Sequence, residues 1–434
     1  MGQAMLCAPV ELVRVQRSGN EYYRAAVAEL QGVRSHHEDG HSMCCSEAIG
    51  SFWVLDGHGG DGAAKFCSPK LGQEFAKSQY AHDDTICEGF HRIDCEFREH
   101  VAQNPSQSSG STVVGIVAQR CQDSSYDVKL ANAGDSRGLI VRGPEASESA
   151  ARLEVRLPRH LAELGSSSFA CSAGSSHPEF MEANSKNGHP RFSCRWPVIA
   201  ESVDHKPDHP TEKHRITAAN GYVTEHENPP RLDGNLAVSR ALGDFEYKSD
   251  PERQPSEQKV SAVPDIYEVC NVPGGSFVVL ACDGLWDVMS SETVARFVRD
   301  ELAKDATCDL GQIAAHLVQR SLVELDTKDN VTVMIIQFAN GSYWNSVPDE
   351  MKGWEKLISQ GELDEDIRRA YRKFLSNCNF PLDPKPCAEC NRWVAAMSQC
   401  PCEQVSYCSR SCQKKGWSKD HKTQCTWKRQ QQEQ

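Results

Sequence analysis

The feature that most constrains this chain is a short apolar run at residues 51–55 that ends in Asp56, Gly57 and His58, followed by two more glycines. The run predicts a buried strand, and the glycines allow backbone angles and close approaches that other residues do not. An acid and a histidine fixed at a strand end can bind a metal ion or transfer a proton. Taken alone, the pattern fits equally well an ordinary strand exit whose aspartate caps the next helix.

Several other acids stand at the edges of apolar, strand-like runs. They are Glu38, Asp39, Asp135, Asp283 and Asp329. A single acid in such a place is normally a solvated turn residue. Because the arrangement recurs along the chain, it predicts a polycarboxylate site, whose oxygen ligands favour hard divalent ions such as Mg²⁺ or Mn²⁺.

Length and charge limit the class of protein. The chain has 434 residues, which is long enough for one large domain and a smaller one. Its formal net charge of −13 argues against a general nucleic-acid-binding protein, because phosphate backbones require a basic surface. No apolar run approaches the roughly 18 residues of a membrane span, and no secretory signal opens the chain. We therefore expect a monomer in the cytoplasm, the nucleus or both, with no nucleic-acid partner and no transmembrane segment.

The N-terminus offers an alternative location. Gly2 is the residue that N-myristoylation requires, and Cys7 is placed for palmitoylation. Leu6, however, stands where Ser or Thr is preferred. Membrane association by acylation is therefore the weaker alternative.

Hydrophobic periodicity predicts separate groups of strands and helices. Strands are predicted at 23–33, 49–56, 113–117, 126–132, 138–142, 266–270, 276–282 and 330–338, and helices at 61–78, 84–102, 210–220, 291–304 and 309–325. A turn that carries Glu38 and Asp39 is expected to join the first two strands. Because strands and paired helices occur in separate runs, the pattern favours a layered α+β sandwich over a doubly wound parallel sheet.

Two segments depart from this pattern. Residues 143–196 are rich in Ser, Ala, His and Pro and lack periodicity, which predicts a mobile insertion. Within residues 341–386, Leu363, Ile367, Tyr371 and Phe374 keep helical spacing. We therefore expect a helical linker that packs on the large domain.

The C-terminal tail concentrates cysteines at metal-ligand spacings. Eight candidate ligands fall within residues 387–425: Cys387, Cys390, Cys400, Cys402, Cys408, Cys412, His421 and Cys425. Eight ligands suit two closed, tetrahedral Zn²⁺ sites of the structural type. The alternative of free reduced thiols fits this spacing poorly.

Taken together, the acidic motifs resemble those of the metal-dependent Ser/Thr protein phosphatases, the PPM or type-2C family. The resemblance is carried, in the family's order, by Arg34 with Glu38 and Asp39, by residues 56–60, 134–137, 204–207, 234–244 and 283–287, and by Asp329 with Asn330. It implies a phosphatase domain at residues 23–340 with the α+β fold of a four-layer α-β-β-α sandwich, and a metal site at one end of the sandwich. The insertion at about 143–196 is longer than the family usually carries.

The resemblance also implies a ligand set for two Mg²⁺ or Mn²⁺ ions. The implied ligands are Asp56 as the bridge between the two ions, Glu38 and the carbonyl of Gly57 on one ion, Asp283 and Asp329 on the other, and Asp135 as a ligand of a weaker third ion.

Three further residues receive catalytic roles by the same resemblance. Asp39 would orient metal-bound water, Arg34 would bind the phosphate, and His58 would act as general acid. The implied reaction is hydrolysis of phosphoserine and phosphothreonine in phosphoprotein substrates by a metal-bridged hydroxide. No covalent intermediate is required.

The tail resembles the MYND zinc finger, a small peptide-binding module at residues 387–425. The resemblance implies cross-braced ligation, with Cys387, Cys390, Cys408 and Cys412 on one Zn²⁺ and Cys400, Cys402, His421 and Cys425 on the other. Cys400 and Cys402 are separated by one residue instead of the usual two. The finger would bind a short peptide and so recruit protein partners to the phosphatase.

A rival hypothesis from another class is a scaffold, in which a catalytically weak or inactive phosphatase fold serves only the finger's partner. Six residues argue against it by their joint presence, because an inactive site would be free to lose its ligands: Arg34, Glu38, Asp56, His58, Asp283 and Asp329.

Overall fold

Two antiparallel sheets packed face to face form the centre of the computed structural model. The structure describes residues 5–46, 49–77, 82–144, 146, 153–158, 160–161, 183–184, 190–191, 197–224, 229–339, 348–354, 364–382 and 384–427. In spatial order, the seven strands of the first sheet are Val198–Glu201, Arg137–Val141, Phe277–Ala281, Val331–Phe338, Tyr23–Arg34, Met5–Gly19 and Glu350–Lys352. The six strands of the second sheet are Glu154–Arg156, Asp265–Val272, Tyr126–Ala133, Val113–Arg120, Ile49–Leu55 and Gly40–Ser46.

Side chains alternate between the two faces of each strand, so each sheet contributes to an apolar core on both of its sides. In the strand Tyr23–Arg34, Ala25 and Val27 lie in the core between the two sheets, whereas Ala26 and Ala28 lie in the core under the outer helices. This is the period of two that a strand buried on both faces requires. Three apolar cores therefore separate four layers, which confirms the predicted α+β sandwich.

Paired helices cover the two outer faces. The helices Ser291–Lys304 and Leu310–Val323 pack on the first sheet, and Gly62–Phe75 and Asp83–Gln103 pack on the second. Further α-helices in the described residues are Pro210–Ala218, Asp283–Trp286, Glu365–Asn377, Arg410–Gly416 and Lys422–Gln424. Short strands occur at Gly57–His58, Gly110–Ser111, Ala183–Asn184, Pro190–Arg191, Val223–Thr224, Arg231–Leu232, Leu242–Gly243, Ser398–Gln399 and Ser406–Tyr407.

Five strands of the two sheets were not predicted: Met5–Gly19, Gly40–Ser46, Glu154–Arg156, Val198–Glu201 and Glu350–Lys352. Met5–Gly19 pairs with Tyr23–Arg34, but register shifts between Met5, Val10 and Val13 disturb the alternation that would identify it in the sequence. Gly40–Ser46 contains few apolar residues and is defined by its pairing with Ile49–Leu55. The expectation that a single turn joins 23–33 to 49–56 was therefore wrong, because this strand lies between them.

The predicted insertion and the predicted helical linker are only partly described. Within 143–196, the strand Glu154–Arg156 pairs with Asp265–Val272 at the edge of the second sheet. In the linker, the helix Glu365–Asn377 packs on the strand Met5–Gly19, while Leu363 lies outside the described residues. Gly2 and the side chain of Cys7 also lie outside them. No helix in the described part of the chain is long and apolar enough to cross a membrane.

Candidate active site and zinc centres

The predicted catalytic residues meet at one end of the sandwich, where several strands of the two sheets begin or end. The strand Ile49–Leu55 leads into Asp56, and Phe277–Ala281 leads into Asp283. A cavity of about 430 Å³ opens at this end. The predicted site residues that line it are Arg34, Glu38, Asp56, Gly57, His58, Asp135, Asp283 and Asp329.

Asp39 is buried behind the cavity and does not line it. Its Oδ2 accepts a hydrogen bond of 2.6 Å from the hydroxyl of Thr332, whereas its Oδ1 is buried without a hydrogen-bond partner among the described residues. Burial and the nearby charges of Asp329 and Glu29 raise the pKa of the Asp39 carboxyl to about 8. A buried carboxylate with an unsatisfied oxygen is costly unless a donor or a cation satisfies it.

The acids that line the cavity repel one another. Burial raises the pKa of Asp56 well above its ordinary value, and the charges of Asp283, Asp39, Asp329 and Asp135 add to the effect. The pKa of Asp283 rises well above its ordinary value for the same two reasons. Carboxylates held this close are stable as anions only with compensating positive charge. The donor set is therefore chemically suited to divalent cations with oxygen ligands.

Asp135 is held by the turn between the strands Tyr126–Ala133 and Arg137–Val141. The preceding residue, Gly134, has a positive φ of 130°, and a Cβ there would lie 2.4 Å from Cβ of Thr112. His205 fixes the same turn, since its backbone N–H donates to the carbonyl of Gly134 over 2.9 Å. Burial raises the pKa of Asp135 to about 6, although Lys206 opposes the rise.

Glu38 and Gly57 are brought together by backbone contacts. The backbone N–H of Glu38 donates to Oδ1 of Asn330 over 3.0 Å, and Nδ2 of Asn330 donates to the carbonyl of His36 over 3.0 Å. A Cβ at Gly57 would lie 2.3 Å from the carbonyl oxygen of Glu38, so only glycine permits this approach. Asn330 is thus a positioning residue for this loop, a role that sequence analysis did not assign.

Arg34 lies at the rim of the cavity. Its Nη2 donates to Oδ2 of Asp329 over 2.6 Å, and its Nε donates to the carbonyl of Lys328 over 2.8 Å. Both contacts tie the guanidinium to the segment that precedes the strand Val331–Phe338. The arginine is thereby held beside the acid cluster, where a phosphate can meet it.

His58 forms an ion pair that sequence analysis missed. Its Nε2 lies 2.7 Å from Oδ2 of Asp244, and both side chains are largely withdrawn from solvent. Although burial opposes protonation, the Asp244 carboxylate raises the pKa of His58 above its ordinary value. Asp244 stands in the stretch 234–244 that carried the resemblance, but nothing in the sequence alone joined it to His58.

The eight candidate zinc ligands form two groups of four. Cys387, Cys390, Cys408 and Cys412 make one group, and Cys400, Cys402, His421 and Cys425 make the other, with the ligand atoms of each group within 4.8 Å of one another. The one-residue spacing of Cys400 and Cys402 does not prevent the second group, because Nε2 of His421 lies 3.2 Å from Sγ of Cys400 and 3.4 Å from Sγ of Cys402. Four thiolate or imidazole donors are the ligand set of a tetrahedral Zn²⁺ site, and each group supplies four.

The acid cluster differs from these two groups in its spread. Among the described residues, only the two cysteine-rich groups bring three or more candidate ligand atoms within 4.8 Å of one another. The acids around Asp56 line the cavity without forming such a close group of ligand atoms.

Comparison with known proteins finds two matching families. The family model described as protein phosphatase 2C matches residues 23–153 and 196–331, and the model of the MYND finger matches residues 387–425. The unmatched stretch 154–195 falls within the predicted insertion. The two matches together account for both parts of the resemblance drawn from the motifs.

Curated relatives match over most of their length. Protein phosphatase 1B of Rattus norvegicus is 31% identical over 340 residues, which are 73% of this chain and 70% of that protein. Protein phosphatase 1A of Bos taurus is 30% identical over 389 residues, which are 85% of this chain and 84% of that protein.

Solved structures share the fold. A phosphatase from Toxoplasma gondii superposes with a TM-score of 0.57 at 22% identity, covering 78% of this chain and 99% of that one. At this identity the likeness concerns the fold alone. The family model and the curated relatives go further: the chain belongs to the protein phosphatase 2C family and carries a C-terminal MYND finger.

Proposed function

We propose that this chain is a metal-dependent protein Ser/Thr phosphatase whose finger recruits protein partners. The observation that carries the proposal is the convergence of Asp56, Asp283, Asp135 and Asp329 on one cavity beside Arg34 and His58. An acid cluster next to a guanidinium and an imidazole offers a place for cations, for a phosphate and for a leaving group. The family membership of the chain supports the same reaction.

The residues that would hold Mg²⁺ or Mn²⁺ are Asp56, Glu38, the carbonyl of Gly57, Asp283 and Asp329, with Asp135 as a ligand of a third ion. When bound, such ions supply a water of lowered pKa and neutralise charge on the phosphoryl oxygens.

The other side chains would act on the substrate directly. Arg34 keeps Nη1 without a hydrogen-bond partner among the described residues, so this nitrogen can donate to a phosphoryl oxygen. His58, whose pKa the Asp244 carboxylate raises, would in its protonated form donate a proton to the oxygen of the departing Ser or Thr. Asp39 would orient water from behind the cavity through its unpartnered Oδ1.

The proposal can be tested on the whole chain with a phosphothreonine peptide. Phosphate release should require added Mn²⁺, stop with EDTA and resume when Mn²⁺ is restored. A phosphotyrosine peptide of the same sequence tests the substrate class and should be hydrolysed more slowly. Absence of turnover at every Mn²⁺ concentration would contradict the proposal and favour the scaffold hypothesis.

The role of the finger is part of the proposal. A tethered recognition module raises the local concentration of a substrate near the cavity without new contacts at the cavity itself. A short peptide that binds the finger, fused to the phosphothreonine peptide, should therefore lower KM while leaving kcat nearly unchanged. Equal KM values for fused and unfused peptides would contradict recruitment.

A further inference from the structure

A fourth apolar core joins parts of the chain that are distant in sequence. It contains Val10 and Leu12 from the first strand, Met351 from the edge strand, Trp354 two residues beyond the end of that strand, side chains of the helix Glu365–Asn377, and Trp393 of the finger. The finger and the linker helix therefore share one core with the first sheet. Sequence analysis placed the finger apart as a recruiting module and did not expect this contact.

The finger is attached to the first sheet by several kinds of contact. The backbone N–H of Met351 donates to the carbonyl of Trp393 over 2.8 Å, and the rings of Trp354 and Trp393 lie 5.9 Å apart. Arg392 adds a partly exposed ion pair of 3.7 Å to Asp309. Because a segment of about 40 residues is too small to fold without its metal, these contacts depend on zinc.

The linker helix reaches from this core to the loop that carries Glu38 and Asp39. Phe374 is 1% exposed, and its ring meets the ring of His37 edge to face at 5.5 Å. His37 directly precedes Glu38 in the chain.

Packing holds the His37 ring in place. The ring is buried, and its Nε2 has no hydrogen-bond partner among the described residues, although it lies 3.9 Å from Oδ2 of Asp39. In the absence of a hydrogen bond at Nε2, aromatic packing such as that with Phe374 helps to fix the orientation of the ring.

We infer that the finger, acting through Trp393 and the helix Glu365–Asn377, braces the loop at His37, so that zinc binding in the tail sets the affinity of the acid cluster for its metal. Phe374 is the positioning residue that transmits the effect. The inference rests on the proposed function, since it concerns the ions assigned to the cavity. It goes beyond recruitment, because it makes the finger a structural part of the catalytic end.

The test is the dissociation constant for Mn²⁺, read from free Mn²⁺ by electron paramagnetic resonance on the full chain, with Asp56→Asn as the background. Phe374→Ala removes the ring contact, and Trp393→Ala removes the finger's side chain from the shared core while keeping all eight zinc-ligand candidates. Phe277→Ala is the matched control, because Phe277 is equally buried but lies at the end of its strand farthest from Asp283.

We expect Phe374→Ala and Trp393→Ala to weaken Mn²⁺ binding roughly tenfold, as loss of a supporting contact does in other metal sites. The double variant should bind Mn²⁺ no less tightly than the single variant with the lower affinity. Both substitutions act through the same chain of contacts, so their effects should not add. Phe277→Ala should lower the thermal midpoint but keep the Mn²⁺ affinity of the folded fraction. If Phe374→Ala only destabilised the fold, the number of Mn²⁺ sites per chain would fall, but the Mn²⁺ affinity of the remaining sites would be unchanged.

Two results would overturn the inference. An unchanged Mn²⁺ affinity in Phe374→Ala would show that the ring contact positions nothing. An unchanged affinity in Trp393→Ala would show that the finger does not act on the loop. Failure of the proposed function would look different, because the wild-type chain would then bind no Mn²⁺ beyond the Asp56→Asn background.

Discussion

Nε2 of His58 lies 2.7 Å from Oδ2 of Asp244, although the two residues are 186 positions apart in the chain. The contact forms because Gly110 leaves room for it: a Cβ at this position would lie 2.2 Å from both atoms. The pair therefore depends on three segments that meet only in the folded protein. Its chemical effect is to favour the protonated imidazole beside the acid cluster.

Asp244→Asn should lower the pKa of His58, because it removes the carboxylate that raises it. A general acid acts in its protonated form, so turnover falls as pH rises through the pKa of His58. In the variant this decline should begin at lower pH than in the wild type. The measurement is the pH dependence of kcat on a phosphothreonine peptide at saturating Mn²⁺.

Glu246→Gln is the control for Asp244→Asn, because Glu246 also lines the cavity but makes no contact with His58. Its pH profile should match that of the wild type. Aryl phosphates, whose leaving groups need no proton, should be affected less by Asp244→Asn than the peptide. Identical pH profiles for the wild type and Asp244→Asn would contradict the assignment of His58 as general acid.

Gly110→Ala should separate proton donation from metal binding. The added methyl group would meet both members of the pair at 2.2 Å and force them apart. We expect kcat on the peptide to fall by roughly 10²-fold, the usual size of a general-acid contribution, while Mn²⁺ affinity stays near that of the wild type.

Gly274→Ala is the control for Gly110→Ala, because its nearest neighbour would lie 3.8 Å away, an ordinary contact distance. It should leave both turnover and Mn²⁺ affinity unchanged. If Gly110→Ala keeps full turnover on the peptide, the pair of His58 and Asp244 has no part in the chemistry.

Features that depend on local sequence could be predicted, whereas contacts between residues far apart in the chain could not. Acids such as Asp56 and Asp283 follow apolar strands, so their residue type and local position identify them. The partner of His58 could not be predicted, because Asp244 reaches it only through the tertiary fold. The contact of Phe374 with His37 was missed for the same reason: helical spacing predicts an apolar face but not what that face meets.

Without metal, the folded protein should lose stability as pH rises from about 6.5 to about 8. The pKa of Asp39 is raised to about 8 in the fold, far above its value in the unfolded chain, so the folded state binds its proton more tightly. Stability from such a group is complete below the pKa of the unfolded carboxyl, about 3.9, declines as pH rises above it, and is lost once the folded carboxyl ionises. The raised pKa of His58 acts in the same direction, because its contribution is also lost as pH rises.

The measurement is the thermal midpoint in EDTA at the two pH values, repeated with Mn²⁺. Added Mn²⁺ should remove most of the difference, since it supplies the charge that ionised carboxylates need. Asp39→Asn should show a smaller difference in EDTA than the wild type. A midpoint in EDTA that is equal or higher at the more alkaline pH would contradict this account of the acid cluster.

The central claim is that the acids around Asp56 hold the ions that drive hydrolysis. Its most direct test is a Mn²⁺ titration of phosphate release from a phosphothreonine peptide by the wild type, Asp56→Asn and Asp61→Asn. Asp61 is the control, because it pairs with Lys65 on the surface and does not line the cavity. We predict saturable activation of the wild type and of Asp61→Asn, and a loss of at least ~10³-fold in Asp56→Asn at every Mn²⁺ concentration. Wild-type turnover by Asp56→Asn, or turnover by protein shown to be free of metal, would contradict the claim.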